Sequence, residues 1–376
     1  MEHLLPWLTL KSVPGIGNLL FRRLVTRFNS PQAVLDAPLE ALAQVEGMSA
    51  RLGKAIQRQK TPPWAHREID TLQKKGFSLI TQHDPVYPAL LLQIPDPPPM
   101  LYVCGQLAPL FSPIAVVGAR KATSYGLTTT RRLCEGLAAS GATIVSGMAR
   151  GIDTAAHWGA IAGGGRTVAV LGSGLDCVYP VENLKLYHQI AENGAVITEF
   201  ALEVKPAAHH FPMRNRIISG MSLGTLVVEA ARRSGSLITA RLAAEQGREV
   251  FAVPGSIHAA NTQGTHALIQ QGAKLVRCKE DILEELGPQI EGLAAPRSDG
   301  PACGPVPVMP LLAPEEQQVF ESLGPYPVHI DDLARHMHMQ MDIACLTSIL
   351  LQLELKGLVC QEPGKYFLRH ADFTKA

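Results

Sequence analysis

The sequence has no paired-cysteine motif. Its seven cysteines are scattered over 376 residues without a CxxC pair, and their number is odd. Both features argue against a disulfide framework and against a zinc site. We therefore expect a cytoplasmic protein that stays reduced and holds no structural metal.

Long apolar runs and a large net charge are missing as well. No apolar run approaches the roughly 20 residues of a membrane span, and the N-terminal segment, with Glu2 and Pro6, has no basic leader. The formal net charge is +1, so a polyanionic partner must be held by a local basic patch. Only 5% of the residues are aromatic, which limits stacking on nucleic-acid bases. These absences predict a soluble protein with no membrane partner.

No convincing catalytic constellation is present either. An enzyme needs a nucleophile with a base, paired carboxylates or metal ligands. Asp153 and His157 are four residues apart on one predicted helix, where the Asp compensates the helix dipole and the His packs or caps. His209 and His210 would point to opposite faces of a strand, which argues against a metal pair. Glu229, at the end of a predicted strand, is the best carboxylate, and pairing with a nearby arginine explains it equally well.

The first 80 residues predict a small all-α, SAM-like domain of the helix-hairpin-helix type. Two similar turns, 13–17 and 45–49, each precede a basic amphipathic helix. Their glycines would allow close approach to a phosphate. A helical bundle whose glycines only cap helices explains the same pattern. The basic residues of the two helices are Arg22, Arg23 and Arg27, and Arg51, Lys54 and Arg58.

Residues 81–287 predict an α/β domain with an extended Rossmann-like, doubly wound parallel sheet. A proline-dense extended connector, 87–99, leads to a short strand at 100–103. Near-continuous apolar strands separated by helices are typical of parallel sheets covered on both faces. The predicted strands are 114–117, 143–146, 167–171, 195–197, 223–228, 249–253 and 274–276.

The remaining chain predicts a tether and a third domain. Residues 288–313 are rich in Pro, Gly and Ala and predict a linker. Helices at 314–323, 330–337 and 342–356, followed by two short strands, predict a winged helix over 314–376. Its last long helix has few basic residues, so protein contact and DNA contact are equally compatible with it.

Polar turns follow successive predicted strands, where ligands of open parallel sheets gather. Glycine lets the backbone approach a ligand, serine donates hydrogen bonds and arginine binds phosphate. The spacing is not the dinucleotide fingerprint GxGxxG. The structural alternative is that the glycines serve only tight turns and helix packing, and bind no ligand. The turns are 118–121, 146–151, 172–176, 214–216 and 234–236, the last opening a helix near Leu237 whose N–H groups are free for an anion.

These turns, taken together, resemble the DNA-processing protein A family of bacteria (DprA, also called Smf) from residue 87 to residue 286. The resemblance implies a protein, not an enzyme, that binds single-stranded DNA, protects it after uptake in natural transformation and loads RecA recombinase onto it. It also implies no cofactor and a homodimer. The strings that carry it are VVGARKATSYG (116–126), VSGMARGIDTAAH (145–157), VLGSGLDCVYPVEN (170–183) and the segment 211–255.

The resemblance also implies functional residues. Arg120, Arg150 and Lys185 would contact phosphates, and the 172–175 turn would pass beside sugar and base. The 214–216 motif would either bind the DNA or support the pocket from behind. Tyr125, Tyr179 and Phe211 are the candidate stacking residues. The expected DNA-binding set is Arg120, Lys121, Ser146, Gly147, Arg150, Gly151, Gly172, Ser173, Gly174, Leu175, Lys185, Arg214, Asn215, Arg216 and Ser236. The expected dimer or RecA surface is His266, Ile269, Gln270 and Leu275.

An enzyme is the main alternative. Gly224-Thr225 and Glu229 resemble the core of the lysine-decarboxylase-like nucleotide phosphoribohydrolases. Those enzymes have Pro-Gly-Gly ahead of the Gly-Thr, whereas this chain has 219–223, SGMSL, so the catalytic loop is not reproduced. A structural adaptor that recruits partners through its winged helix is a third possibility.

Overall fold

The computed structural model describes residues 2–290, 312–324, 327–336 and 343–369. These residues form two compact units. One lies within Met1–Lys121 and Thr130–Ala295, the other within Ala122–Thr129 and Pro296–Ala376. Most of the predicted linker, residues 291–311, lies outside the described residues.

One mixed sheet organises the first unit. Within the described residues its strand order is β1-β2-β6-β5-β4-β3-β7-β8-β9, and the seven strands from β6 to β9 run parallel. The doubly wound parallel sheet predicted from the apolar strands is therefore confirmed. The strands are β1 (Ser78–Thr81), β2 (Met100–Gly105), β3 (Ile114–Val117), β4 (Ile144–Ser146), β5 (Thr167–Val170), β6 (Gly194–Thr198), β7 (Gly224–Val227), β8 (Glu249–Ala252) and β9 (Lys274–Leu275).

The strands of the sheet centre are buried on both faces. All residues of β3, β4, β5, β6 and β7 are buried, as their continuous apolar sequence requires. Helices connect the parallel strands before and after the reversal of strand order between β3 and β7. The helices are α7 (Ser124–Ala139), α8 (Ile152–Ala162), α9 (Leu184–Asn193), α10 (His210–Gly220), α11 (Ser236–Glu245), α12 (Gln263–Gln270) and α13 (Lys279–Ile290).

Strand β1 is an element that the helical pattern of residues 1–80 did not predict. It pairs antiparallel with β2, which pairs antiparallel with β6. The connector predicted as extended is also folded, because it contains a 3-10 turn at Leu91–Gln93 and its Tyr87 hydroxyl donates to the carbonyl of Pro98 at 2.6 Å. A four-residue strand leaves too short an apolar pattern to separate from the preceding helix.

Among the described residues, six α-helices precede the sheet in the same unit. Ser30 and Ser49 cap two of them, because each hydroxyl accepts the N–H of the residue three positions later, at 3.1 Å and 3.2 Å. Phe21, Leu24 and Leu42 are fully buried in their core. The helices are α1 (Leu5–Lys11), α2 (Asn18–Phe28), α3 (Pro31–Leu35), α4 (Leu39–Ala43), α5 (Ala50–Arg58) and α6 (Pro63–Lys75).

The second unit contains a small helical core with a three-stranded sheet, in the order β10-β12-β11. Glu316 caps the first helix by accepting the Ala313 N–H at 2.9 Å and pairs with Lys356 at 2.7 Å. The predicted helices and the two later strands are present, and β10 was not predicted. The elements are α14 (Pro314–Ser322), β10 (Val328–His329), α15 (Ile330–His336), α16 (Ile343–Leu355), β11 (Val359–Glu362) and β12 (Tyr366–Arg369).

Candidate nucleic-acid interface

The carboxyl ends of the parallel strands bring several of the predicted loops to one edge. The strand order reverses between β3 and β7, which makes their carboxyl ends the switch point of the sheet. Ligands of open α/β sheets bind in the crevice at this position. The loops after β3, β4 and β5 converge there, and they contain residues 118–121, 147–151 and 172–176.

Gly151 allows the loop after β4 to lie directly on the loop after β3. Its φ is +75°, and a Cβ at this position would lie 2.3 Å from the carbonyl oxygen of Ala119. The next residue, Ile152, donates its N–H to the same oxygen at 3.2 Å. Only glycine satisfies both the left-handed backbone and the close approach.

Arg214 fills the space that Gly147 leaves. A Cβ on Gly147 would lie 1.8 Å from Nη1 of Arg214, and that nitrogen donates to the carbonyl of Val170 at the end of β5. Burial lowers the pKa of Arg214 to about 10, so the guanidinium stays charged at neutral pH. The sequence predicted a turn at 214–216, which is wrong: these residues lie in α10. Pro212 is in the first turn of α10, where its missing N–H is not needed.

Asp153 holds the loop that contains Gly147. Its carboxylate accepts the N–H groups of Gly147 at 3.2 Å and of Ala149 at 3.3 Å. Burial raises the pKa of Asp153, opposed by the charge of Arg214. Asp153 is therefore more than a partner for the helix dipole.

His157, one turn further along α8, is fully buried beside Thr167, with 2.7 Å between Nδ1 and Oγ1. Burial lowers the pKa of His157 to about 3, so the imidazole is neutral at neutral pH. The predicted packing role is confirmed. His210 begins α10, so His209 and His210 do not form the strand that the sequence suggested.

Arg216 lies in a second buried network. Its guanidinium binds Glu199 after β6, the carboxylate of Asp96 at 3.2 Å and the carbonyl of Asp96 at 2.6 Å. Asn18 of α2 donates to the same Glu199 oxygen at 3.5 Å. The network therefore ties α10 to the connector and to the N-terminal helices.

The serines and small residues of the predicted set are largely buried. Ser146 donates to the carbonyl of Val116 at 2.6 Å, and Ser173 donates to that of Cys177 at 2.8 Å. A Cβ on Gly174 would lie 2.5 Å from the carbonyl of Ala201, and the side chain of Leu175 is in the core. The hydroxyls therefore hold the loops in place.

The exposed cations of the set are Arg120, Lys121, Arg150 and Lys185. Arg120 and Lys121 follow β3, Arg150 follows β4 and Lys185 is in the first turn of α9. Arg150 forms an ion pair with Glu182, and both side chains are exposed. These four cations, on neighbouring loops and at the start of α9 with Glu182 among them, form the kind of local basic patch that the net charge requires.

Two aromatic rings lie beside these cations. The guanidinium carbon of Arg120 is 5.1 Å from the ring centroid of Phe211, and the Phe211 and Tyr179 centroids are 5.9 Å apart. Tyr179 is 41% exposed, so its ring is accessible to a ligand. Gly172 leaves room for Phe211, since a Cβ there would lie 3.0 Å from the ring. Tyr125 lies in the first turn of α7.

Asn183 is a positioning residue that sequence reasoning missed. Its amide nitrogen donates to the carbonyl of Met148 at 2.9 Å and to the hydroxyl of Thr154 at 2.8 Å. It is buried and joins the loop after β4 to the start of α9. Its position two residues before Lys185, at the end of the string 170–183, was the signal that could have found it.

The remaining predicted residues lie elsewhere on the unit. Ser236 begins α11 and its hydroxyl is 2.7 Å from that of Ser234, while Asn215 is half-buried in α10. Nε2 of His266 donates to the carbonyl of Gly255 at 3.0 Å, because a carbonyl oxygen only accepts. The other residues of the expected dimer surface, Ile269, Gln270 and Leu275, lie on α12 and the edge strand β9.

The residues of the alternative enzyme lie at opposite ends of β7. Gly224 and Thr225 begin the buried strand β7, at its amino end. Glu229 follows the carboxyl end of β7 and is buried. The Gly-Thr therefore cannot form a ligand loop together with Glu229.

In the described part of the chain, no group of three or more His, Cys, Asp or Glu side chains is arranged to hold a metal ion. Among the same residues, no helix has the length and apolar character needed to cross a membrane.

Comparison with known families supports these observations. Residues 78–287 match the family described as DNA recombination-mediator protein A, and residues 305–365 match the DprA winged helix domain. The protein Smf of Escherichia coli is 38% identical over 375 residues, which cover 96% of this chain and 94% of that protein.

Two solved structures are similar in fold and sequence. DNA processing protein A of Streptococcus pneumoniae superposes with a TM-score of 0.64 and 37% identity, covering 74% of this chain and 95% of that one. DNA processing protein A of Helicobacter pylori, described for its single-stranded DNA binding mode, superposes with a TM-score of 0.52 and 29% identity, covering 57% of this chain and 96% of that one.

Proposed function

We propose, because the chain belongs to the DNA recombination-mediator protein A family, that it binds single-stranded DNA at the carboxyl edge of its parallel sheet. The observation that carries the proposal is the group of Arg120, Phe211 and Tyr179 at this edge. Binding without sequence preference needs cations for the phosphates and rings for the bases, and this group supplies both.

The contacts divide by exposure. Arg120, Lys121 and Lys185 bind phosphates, because their charges face solvent, and the exposed Arg150 does so when a phosphate displaces Glu182 from it. Arg214 and Arg216 position the loops, since both side chains are buried and bonded to protein oxygens. The buried serines and glycines shape the backbone on which the strand lies.

The bound strand is protected in the cytoplasm after uptake and passed to RecA recombinase in natural transformation. The similarity to the Helicobacter pylori protein supports the DNA ligand. The RecA partner and the homodimer, through His266, Ile269, Gln270 and Leu275, rest on family membership. The action is one of binding and hand-over, with no covalent step.

Fluorescence anisotropy of labelled oligo-dT across a salt series tests this function. Arg120→Ala is expected to weaken binding to all sequences alike and to reduce the slope of log affinity against log salt by about 0.7, because one phosphate contact is lost. Arg241→Ala, which removes an exposed arginine of α11, is the matched control and should retain the wild-type slope.

Folded wild-type protein that fails to bind oligo-dT at low salt would contradict the proposal. Hydrolysis of a nucleoside monophosphate would then become the next assay, for the enzyme alternative. A loss of affinity in Arg120→Ala that is confined to certain base sequences would also count against phosphate contact by Arg120.

A further inference from the structure

The N-terminal helices form two hairpins, α1–α2 around the turn 13–17 and α4–α5 around the turn 45–49. The basic residues of the two hairpins have different partners. On α2, Arg22 donates to the carbonyl of Ile94 at 3.1 Å, and Arg27 donates to the side chain of Gln44. Arg23 donates to the carbonyl of Glu46 at 3.0 Å and pairs with its carboxylate at 3.1 Å. The cations of the first hairpin therefore bind within the protein.

The cations of the second hairpin, α4–α5, have no partner among the described residues. Arg51, Lys54 and Arg58 are exposed on α5, and in the described part of the chain no hydrogen bond or ion pair engages their side chains. Their spacing of three and four residues places them on one face of the helix. We call these three residues the α5 face.

The α5 face lies in a strongly basic part of the chain. Residues 47–60 contain four Lys or Arg and no Asp or Glu, a charge of +4. The whole chain carries +1, so all other residues together carry +1 − 4 = −3. The acidic residue just ahead of the segment, Glu46, is paired with Arg23. Nothing in this part of the sequence neutralises the face.

We propose that the α5 face binds the phosphate backbone of duplex DNA, as a second nucleic-acid surface separate from the sheet edge. Arg51 and Arg58 are seven residues apart, about 10 Å along a helix that rises about 1.5 Å per residue. That length spans successive phosphates of one strand. The exposed positions of α5 are Ala50, Arg51, Lys54, Gln57 and Arg58, with no ring on which an unpaired base could stack.

A duplex fits such a face better than a single strand. Its bases are already stacked and paired, so backbone charge dominates the affinity of a protein that reads no sequence. Single strands are bound with the help of aromatic side chains, which the sheet edge has and α5 lacks. The two surfaces therefore suit different forms of DNA.

The test compares two charge-matched variants of the full chain by anisotropy, on a blunt duplex and on oligo-dT. Arg51→Glu/Arg58→Glu reverses two charges of the α5 face. Arg67→Glu/Lys74→Glu reverses two exposed charges, also seven residues apart, on α6. Thermal unfolding checks that each variant folds. If Arg51→Glu/Arg58→Glu does not fold, Arg51→Gln/Arg58→Gln takes its place.

The α5 variant is expected to lose about tenfold in duplex affinity at low salt, and its log–log salt slope should fall by about 1.8, since two phosphate contacts are each worth about 0.9. Its binding of oligo-dT should be unchanged, and the α6 variant should match the wild type on both ligands. Equal duplex affinity in the two variants, or no duplex binding by the wild type, would overturn the proposal. Equal losses on duplex and oligo-dT would also overturn it, because the face would then belong to the single-strand path. Failure of oligo-dT binding in the wild type would instead contradict the proposed function.

Discussion

At the scale of single residues, exposure separates arginines whose side chains are open to a ligand from arginines whose side chains are buried. Arg120 and Arg150 lie on loops with exposed side chains, whereas Arg214 and Arg216 lie in α10 and are buried. All four stand in motifs of similar appearance. The difference arises because α10 packs beneath the loops, and its arginines bond to protein oxygens there.

Gly147 controls the position of Arg214. Gly147→Ala places a Cβ 1.8 Å from Nη1, so the buried guanidinium must move away from the carbonyl of Val170. We expect the free energy of unfolding to fall by roughly 1–3 kcal/mol, as for other overpacked sites. Urea unfolding measures this change.

Gly235→Ala is the control for that substitution. Gly235 lies at the start of α11 with ordinary helical backbone angles (φ −63°, ψ −23°), and a Cβ added there would meet no neighbouring atom within 4 Å, so alanine is accommodated without a clash. This variant should be as stable as the wild type or more stable by about 0.4–1 kcal/mol. Equal stability changes at the two sites would contradict the steric argument for Gly147.

At the scale of elements, α10 joins three parts of the first unit. Arg214 contacts the ends of β4 and β5, while Arg216 binds Glu199 after β6 and Asp96 of the connector. The helix thereby fixes the loops whose exposed residues form the candidate interface. A surface turn, as the polar string RNR suggested, would have left these loops without a common support.

Arg216→Met tests this role. It removes the guanidinium that is bonded to Glu199 and leaves only the charge of Lys11 near this carboxylate, and we expect the free energy of unfolding to fall by about 3 kcal/mol. The salt slope of DNA binding should not change in protein that remains folded, because Arg216 contacts no phosphate. Urea unfolding and anisotropy measure the two effects.

The double variant Arg216→Met/Glu199→Gln is the companion to that experiment. Removing the orphaned charge should restore a large part of the stability. A salt slope lowered by about 0.7 in Arg216→Met would show instead that the arginine reaches a phosphate.

At the scale of the whole molecule, the sheet ends differently on its two sides. One side is extended by the antiparallel strands β1 and β2, and the other ends at the two-residue strand β9. Leu275 of β9 is 39% exposed and lies near the carboxyl end of α12 in sequence. This edge carries the residues expected to pair two copies.

Leu275→Glu is expected to convert the proposed dimer into a monomer. The new carboxylate would be buried in the interface between the two subunits, close to the same carboxylate of the second subunit. Sedimentation equilibrium measures the mass. Loss of the second subunit should also weaken binding to long single strands more than to short ones, since avidity disappears. On the proposed hand-over to RecA, the variant should also lengthen the lag before RecA hydrolyses ATP on single strands.

Leu19→Glu is the matched control, as Leu19 is a similarly exposed leucine, at 48%, on α2. It should retain the mass and the RecA behaviour of the wild type. A wild-type protein that sediments as a monomer at all concentrations would contradict the dimer.

The sequence by itself determined the architecture and the edge of the sheet at which the candidate interface lies. Apolar strands of three to six residues separated by helices indicate a parallel sheet, and polar turns at their carboxyl ends indicate a shared edge. The resemblance to the DNA-processing protein family was visible in the same turns and is confirmed by the match over residues 78–287. These features are local, so periodicity and turn chemistry express them.

Only the tertiary structure decided which side chains of the edge are free. Arg214 and Arg216 turned inward, Ser146 and Ser173 bonded to backbone, and Arg120 lay over Phe211, although the sequence offered all of them as contacts. The same is true of the hairpins, where Arg23 is paired with Glu46 and Arg51 is paired with no residue that the structure describes. Exposure and pairing depend on residues distant in the chain, such as Glu199 for Arg216, and no local pattern records which of them will meet.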